Sequence, residues 1–250
     1  MVGQDSIGLV NPTKKKVIVK KSPPRKGRRP FVYDLETKNI SFVQTAVDLG
    51  RLGIKNNMFF LALYNERLKG VDPYDPYLTE QQIFDIINEC YANPWYFLRE
   101  IIRIPEQGDR GVPYQLNRGN LASAFLYLLN IDHYLVLPRQ MGKTMSTLAL
   151  LLWSFIFGTS TSEFMFSNKS LEDANNNLGR LKALRAMLPS YLQATEIISE
   201  EGKIIKGVDN VKSISNPVNN NKIVTKPSAT SKAAADNIGR GNTQPMNYVA

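Results

Sequence analysis

The sequence predicts an α/β fold, with a mostly parallel sheet flanked by helices, preceded by a helical N-terminal segment and a disordered basic tail. Three observations carry this. A short apolar run, His133 to Leu137, leads through a compact loop into a helical pattern that starts at Met145. Beyond it, strand-like and helix-like stretches alternate as a sheet with crossover helices requires. The charge is also unevenly placed. Residues 1–30 hold nine of the 31 Lys/Arg and one of the 22 acids, so they carry +8 of the formal +9 and the remaining chain is nearly neutral.

The elements follow in chain order. Pro12, Pro23, Pro24, Gly27 and Pro30 keep the basic segment out of a helix, so residues 1–30 are expected to be disordered alone and able to meet a phosphate backbone. From Ser41 to Lys69 apolar residues recur at irregular helical spacing, broken by Gly50, Gly53 and Asn56-Asn57, which predicts two short helices. Asp72-Pro73 and Asp75-Pro76 are turn chemistry rather than metal ligands. Thr79 with Gln82 forms a capping box that starts a helix through Cys90. Asn93-Pro94 ends that helix, and Trp95 to Ile102 begins an apolar element read as core. A helix is expected over Asn120–Leu129. Gly158 closes the loop helix, Glu163 to Ser167 is a short buried strand, and Ser170 with Asp173 caps a helix to Leu188. Residues 203–206 and 222–225 are expected as shorter strands, separated by an Asn-rich turn (Asn216, Asn219, Asn220, Asn221), and the last strand begins at Met246. Domain boundaries are placed at 1–30 for the tail, 31–92 for the helical segment and 93–250 for the α/β domain.

The loop Pro138-Arg139-Gln140-Met141-Gly142-Lys143-Thr144 carries the chemistry, and it reads as a phosphate-binding loop of P-loop NTPase type. Gly142 lets backbone approach a phosphate, and the loop N–H groups with the following helix start favour negative charge. Lys143 puts an ammonium on the β/γ-phosphates and the Thr144 hydroxyl suits Mg²⁺. Arg139 adds a second cation for charge that develops in phosphoryl transfer. The usual first glycine of the pattern is Leu137 here. Gln115, upstream, has an amide whose donor and acceptor match adenine N6 and N7.

Composition excludes several alternatives. No apolar run reaches the ~18 residues a membrane span needs, and no signal-peptide segment is recognised. One Cys, Cys90, permits no internal disulfide. One His, His133, with one Cys argues against a Cys/His zinc site or a His-based nucleophilic triad. His133 itself is expected to be packed or hydrogen-bonded.

Assembled, Asn93-Pro94-Trp95-Tyr96-Phe97, Tyr114 to Asn120, the loop 138–144 and Gly239-Arg240-Gly241-Asn242 resemble the N-terminal part of a large terminase subunit, the ATP-driven DNA-packaging motor and nuclease of tailed bacteriophages. The family's loop lacks the first Gly and has an early basic residue, as here. The resemblance covers about residue 40 to 250. It implies ATP and Mg²⁺ as cofactors. Pro138 to Thr144 would form the phosphate loop, with Lys143 and Thr144 on the phosphates and Mg²⁺ and Arg139 acting on the γ-phosphate. Gln115 would read adenine, and Arg240 would act on phosphate or DNA. Implied partners are double-stranded DNA, a small terminase subunit and a portal protein, with a homo-oligomeric ring and the cytoplasm of an infected or lysogenic bacterial host as the setting. In the family the last strand ends in Asp-Glu, followed by a nuclease domain. Here Tyr248-Val249-Ala250 is the apolar lead-in to that pair. The expectation is therefore a chain that binds ATP weakly, neither hydrolyses it well nor cuts DNA alone, and is completed by a second polypeptide or a longer chain. Other readings are another P-loop nucleic-acid motor, such as a helicase, or a non-catalytic DNA-binding remnant.

Overall fold

A computed structural model describes residues 6–10, 16–20, 32–106, 111–133, 136, 142–168, 170–227 and 246–249. The fold is mixed α/β and divides into two compact units, residues 1–101 with 113–123, and residues 102–112 with 124–250. The division falls later in the chain than residue 92. Trp95 to Ile101 and Tyr114-Gln115 therefore belong to the first unit. Among the described residues no helix is long and apolar enough to cross a membrane.

Unit 1 opens with an antiparallel hairpin, β1 (Ser6–Val10) and β2 (Lys16–Lys20), in register from Ser6↔Lys20 to Val10↔Lys16. This corrects the expectation that the whole basic segment lacks regular structure. The prolines and Gly27 lie outside these two strands, and β-branched Val17, Ile18 and Val19 favour one. Strand β3 (Val32–Tyr33) then pairs antiparallel with β4 (Ala62–Leu63), on either side of helix α1 (Ile40–Arg51). The second helix expected before Lys69 is absent. The chain forms only single 3₁₀ turns at Phe59–Leu61 and Glu66–Leu68 around β4. The break that the glycines signalled is real: α1 ends at Arg51, and Gly53 and Asn56 both take left-handed φ.

Helix α2 (Glu80–Ala92) starts at the predicted capping box. The Thr79 hydroxyl accepts from the Gln82 N–H, and the Gln82 side chain accepts from the Thr79 N–H at 2.9 Å. The Asp72 and Asp75 carboxylates accept from the N–H groups of Tyr74 and Tyr77, two residues on, which makes them turn formers as expected. Asn93 caps the one-turn helix α3 (Pro94–Tyr96), and a π turn, Phe97–Ile101, continues it. Phe42, Phe60, Tyr96 and Phe97 are fully buried, and Phe59 meets Trp95 edge-on at 5.2 Å, so the aromatic run is core.

Buried polar groups fix this core. Arg99 is fully buried. Its Nη1 donates to the Phe60 carbonyl at 2.6 Å, its Nε to Glu100 at 2.7 Å, and its Nη2 lies 3.6 Å from Asp34. The buried Glu89 carboxylate accepts from the backbone N–H groups of Tyr64 and Asn65 and from the Asn93 amide. Asn39 donates to the carbonyls of Arg99 and Tyr114. The bonds of Arg99 and Glu89 are charge-assisted, and with those of Asn39 they replace hydration lost on burial, save at Arg99 Nη2, which meets only the Asp34 charge.

Strands β5 (Arg103–Ile104) and β6 (Val112–Pro113) form a small sheet near the division, and helix α4 (Arg118–Leu128) runs across it in sequence. Unit 2 then contains helix α5 (Lys143–Trp153), which continues as a π turn over Ser154–Gly158, strand β7 (Glu163–Asn168) and helix α6 (Leu171–Ala186), started by Ser170 as predicted. Strands β8 (Glu196–Ile198) and β9 (Ile204–Lys206) make a separate hairpin. Strands β10 (Asp209–Asn210), β11 (Ser213–Asn216), β12 (Asn221–Pro227) and β13 (Met246–Val249) join β7 in one sheet of order β10-β11-β12-β7-β13. The sheet is mixed: β12 and β13 run parallel to β7, while β10, β11 and β12 form an antiparallel meander. The meander arises because β11 and β12 are joined by the tight Asn-rich turn, which permits only an antiparallel pair. Phe164, Met165 and Phe166 are buried consecutively, as suits a strand covered on both faces. Helix α6 packs on α5, β7 and β12.

Candidate functional site

Helix α5 is the element on which the predicted loop chemistry rests. Leu148 to Leu152 are all buried, which anchors the helix body in unit 2, while its first turn emerges: Lys143 is half-buried and Thr144 exposed. Gly142 occupies the N-cap with φ 71° and ψ 13°, a left-handed conformation that glycine adopts without the steric cost a Cβ brings. Gly142 has no side chain with which to cap this helix start, and no acid stands in its first turn. The first N–H groups of any α-helix lack intrahelical acceptors, and the helix dipole adds partial positive charge there. The Ser146 and Thr147 hydroxyls bond back to the carbonyls of Gly142 and Lys143, at 3.0 and 3.1 Å, so they brace the first turn rather than cap it.

Of the predicted site residues, the structure brings Gly142, Lys143 and Thr144 together as the cap and first two positions of α5. Pro138, Arg139, Gln140, Met141 and Arg240 lie outside the described residues. Gln115 lies in unit 1, where it is exposed and its amide donates to the Pro113 carbonyl at 3.1 Å. The run His133–Leu137 was expected as a buried strand, but its described members His133 and Val136 are exposed, Val136 at 91 %. The physical reason is local: α4 ends at Leu128, Asn130 takes a left-handed φ in the turn that follows, and the polar pair Asp132-His133 comes next in non-strand backbone. His133 is hydrogen-bonded as expected, its Nδ1 lying 2.9 Å from the Ile131 carbonyl, but it is not packed. Among the described residues no cluster of three His, Cys, Asp or Glu side chains is placed to hold a metal.

The far end of α5 holds a polar cluster built by residues that the sequence marks only as a turn. Three side-chain amides, from Asn216, Asn219 and Asn221, all donate to the Phe155 carbonyl in the π turn, at 3.1, 3.0 and 3.0 Å. Asn219 also reaches the carbonyls of Ile156 and Thr159, and Asn221 reaches Thr159 while accepting from the Ser162 N–H. A π turn leaves carbonyls without ordinary partners, and the Asn cluster supplies them. Gly158 closes that turn because a Cβ there would come within 2.9 Å of the Trp153 ring. Read in the sequence, four Asn in six residues signalled a turn. Only Asn220, with left-handed φ, is explained by that alone. Arg185 lies over the Phe155 ring at 5.3 Å, and burial lowers its affinity for the proton.

No protein-family model matches this chain, and no curated protein does.

Proposed function

We propose that this chain is the ATP-binding part of a DNA-packaging motor of the large terminase type, with a P-loop fold in unit 2, acting on double-stranded DNA. The observation that carries the reading is the junction at Gly142: a left-handed glycine set directly before a helix start, with Lys143 and Thr144 in the first turn of a helix whose body is buried. That arrangement suits a polyphosphate for stated reasons. The glycine admits close backbone approach, the helix start favours an anion, and the lysine adds a full positive charge. In this reading Lys143 binds the β/γ-phosphates, Pro138 to Met141 complete the loop, and Arg139 meets charge that develops on the γ-phosphate. A magnesium ion would supply positive charge that neutralises the phosphates. The exposed Thr144 hydroxyl suits one of its ligand positions. The parallel strands β12, β7 and β13 support the same reading, because ligands of such sheets lie beyond the carboxyl ends of parallel strands.

The test is Mg²⁺-ATP binding and turnover by this chain and by Lys143→Ala, with and without double-stranded DNA. Binding that the mutant loses supports the reading. Equal binding by both chains rejects it.

A second reading, a DNA-binding module without nucleotide chemistry, is favoured by one observation, the +8 charge of residues 1–30. It predicts DNA affinity that survives Lys143→Ala and disappears when those residues are deleted.

A further inference from the structure

Helix α2 divides into two faces at its own period. Ile86, Glu89 and Cys90 are buried, while Glu80, Phe84, Ile87 and Tyr91, spaced by four, three and four residues, form a separate stripe. Phe84 and Tyr91 are 61 % and 66 % exposed, Glu80 is exposed and Ile87 is half-buried. Two large rings in water on one helix face are an apolar surface that the first unit leaves uncovered among its described residues.

Charge and reach choose the occupant. No Lys, Arg or His stands between Gly70 and Leu98, where Asp72, Asp75, Glu80, Asp85 and Glu89 are acidic. Lys38 pairs with Asp72, Arg67 pairs with Asp85, and Glu89 is taken up by backbone N–H groups. Among the described residues no ion pair engages Asp75 or Glu80, and both are exposed. Exposed rings beside such carboxylates suit an arginine-rich segment, because a guanidinium stacks on an aromatic face and pairs with a carboxylate. They disfavour a phosphate backbone. Residues 21–30, which lie outside the described residues, hold Lys21, Arg25, Lys26, Arg28 and Arg29 and no acid, and they belong to the same unit. That segment joins the described fold at Val32, beside α2. Val32 pairs with Leu63, the next two residues, Tyr64 and Asn65, give their N–H groups to Glu89, and Arg67 reaches Asp85 at 3.2 Å. Arg28 and Arg29 precede Val32 by four and three residues, a span of at most about 14 Å. The stripe itself runs about 16 Å from Glu80 to Tyr91.

We propose that the Glu80, Phe84, Ile87 and Tyr91 face of α2 is the docking site of residues 21–30 of the same chain. Docking engages the cations that a phosphate backbone would otherwise take, so the segment is held back until a polyanion competes for it. This inference is independent of the nucleotide reading, and its test contains no nucleotide.

The experiment is limited trypsin digestion of the full chain, with the first cuts after Arg25, Lys26 and Arg28 followed by mass spectrometry. Cleavage of a docked segment tracks the fraction released. Phe84→Ser with Tyr91→Ser should speed these cuts by about fivefold or more, with an unchanged circular dichroism spectrum. Glu80→Gln keeps the rings and should speed them less. The cut after Lys203, exposed in the second unit, is the reference and should not change. Carbodiimide coupling of the unsubstituted chain should join Lys21 or Lys26 to Asp75 or Glu80 within one molecule, a readout that needs no variant to fold. Equal cleavage in the unsubstituted chain and both variants, no such cross-link, or cross-links only between separate molecules would each overturn the proposal.

Discussion

Replacing Asn221 with alanine should destabilise unit 2 by an amount that can be worked from its partners. The side chain is fully buried. Its Oδ1 accepts from the Ser162 N–H at 2.9 Å, and its Nδ2 donates to the carbonyls of Phe155 and Thr159 at 3.0 and 2.9 Å. After truncation the Phe155 carbonyl keeps the amides of Asn216 and Asn219, and the Thr159 carbonyl keeps Asn219. The loss therefore falls on the buried Ser162 N–H, whose acceptor is removed, at about 1–3 kcal/mol. The small void left behind adds about 1 kcal/mol. The sum, roughly 2–4 kcal/mol, corresponds to a fall in melting temperature of about 5–15 °C. Asn220→Gly is the control. Asn220 sits in the same turn with φ 59° and is exposed, and glycine accepts that backbone, so its effect should stay within about 0.5 kcal/mol. Urea unfolding followed by circular dichroism measures both. If Asn221→Ala lies as close to wild type as Asn220→Gly, the amide cluster does not hold the π turn and the reasoning fails.

Three further predictions concern unit 1. Thr79→Ala removes one half of the capping box and should cost about 1 kcal/mol by chemical denaturation, while an unchanged midpoint would show that α2 needs no cap. The Asp34 carboxyl is pushed above its ordinary value, chiefly by burial, against the opposing attraction of Arg99. Its protonated form is thus favoured in the fold, so its contribution is present below the ordinary carboxylate value and is lost as pH rises through the raised one. Wild-type stability should fall relative to Asp34→Asn as pH rises from about 4, and parallel pH curves would contradict this. The Cys90 thiol is fully buried and burial, with Glu89 beside it, pushes its proton affinity well up. It should react with a thiol reagent only at the rate of unfolding, and prompt labelling of the native chain would show that α2 opens.

How much was legible in the sequence depended on whether the signal was local. The capping box at Thr79 and Gln82, the Ser170 cap and the Asp-Pro turns depend on residues two or three apart, and each formed where expected. The strand Glu163–Asn168 was legible because three consecutive apolar residues suit a covered strand. The segment after Gly53 was not. Phe59, Phe60 and Leu61 have helical spacing, but the chain pairs β4 with β3 and packs Phe60 against Phe42, which are long-range contacts that override spacing. The mixed order of the sheet was likewise hidden, because strand direction is set by connections rather than by composition. In the candidate site, the glycine, lysine and threonine at the start of α5 were visible as a motif. The Asn cluster at its other end was not, since an asparagine that caps a distant carbonyl looks the same in sequence as one that merely turns the chain.

The most direct test of the nucleotide reading is calorimetric titration of the chain with Mg²⁺-ATP beside Lys143→Ala, with circular dichroism to show that both are folded. The account predicts binding by wild type that weakens at least about tenfold in the mutant, since the lysine supplies a full charge to the phosphates. Equal affinity in the two chains, or no binding by folded wild type, would contradict it.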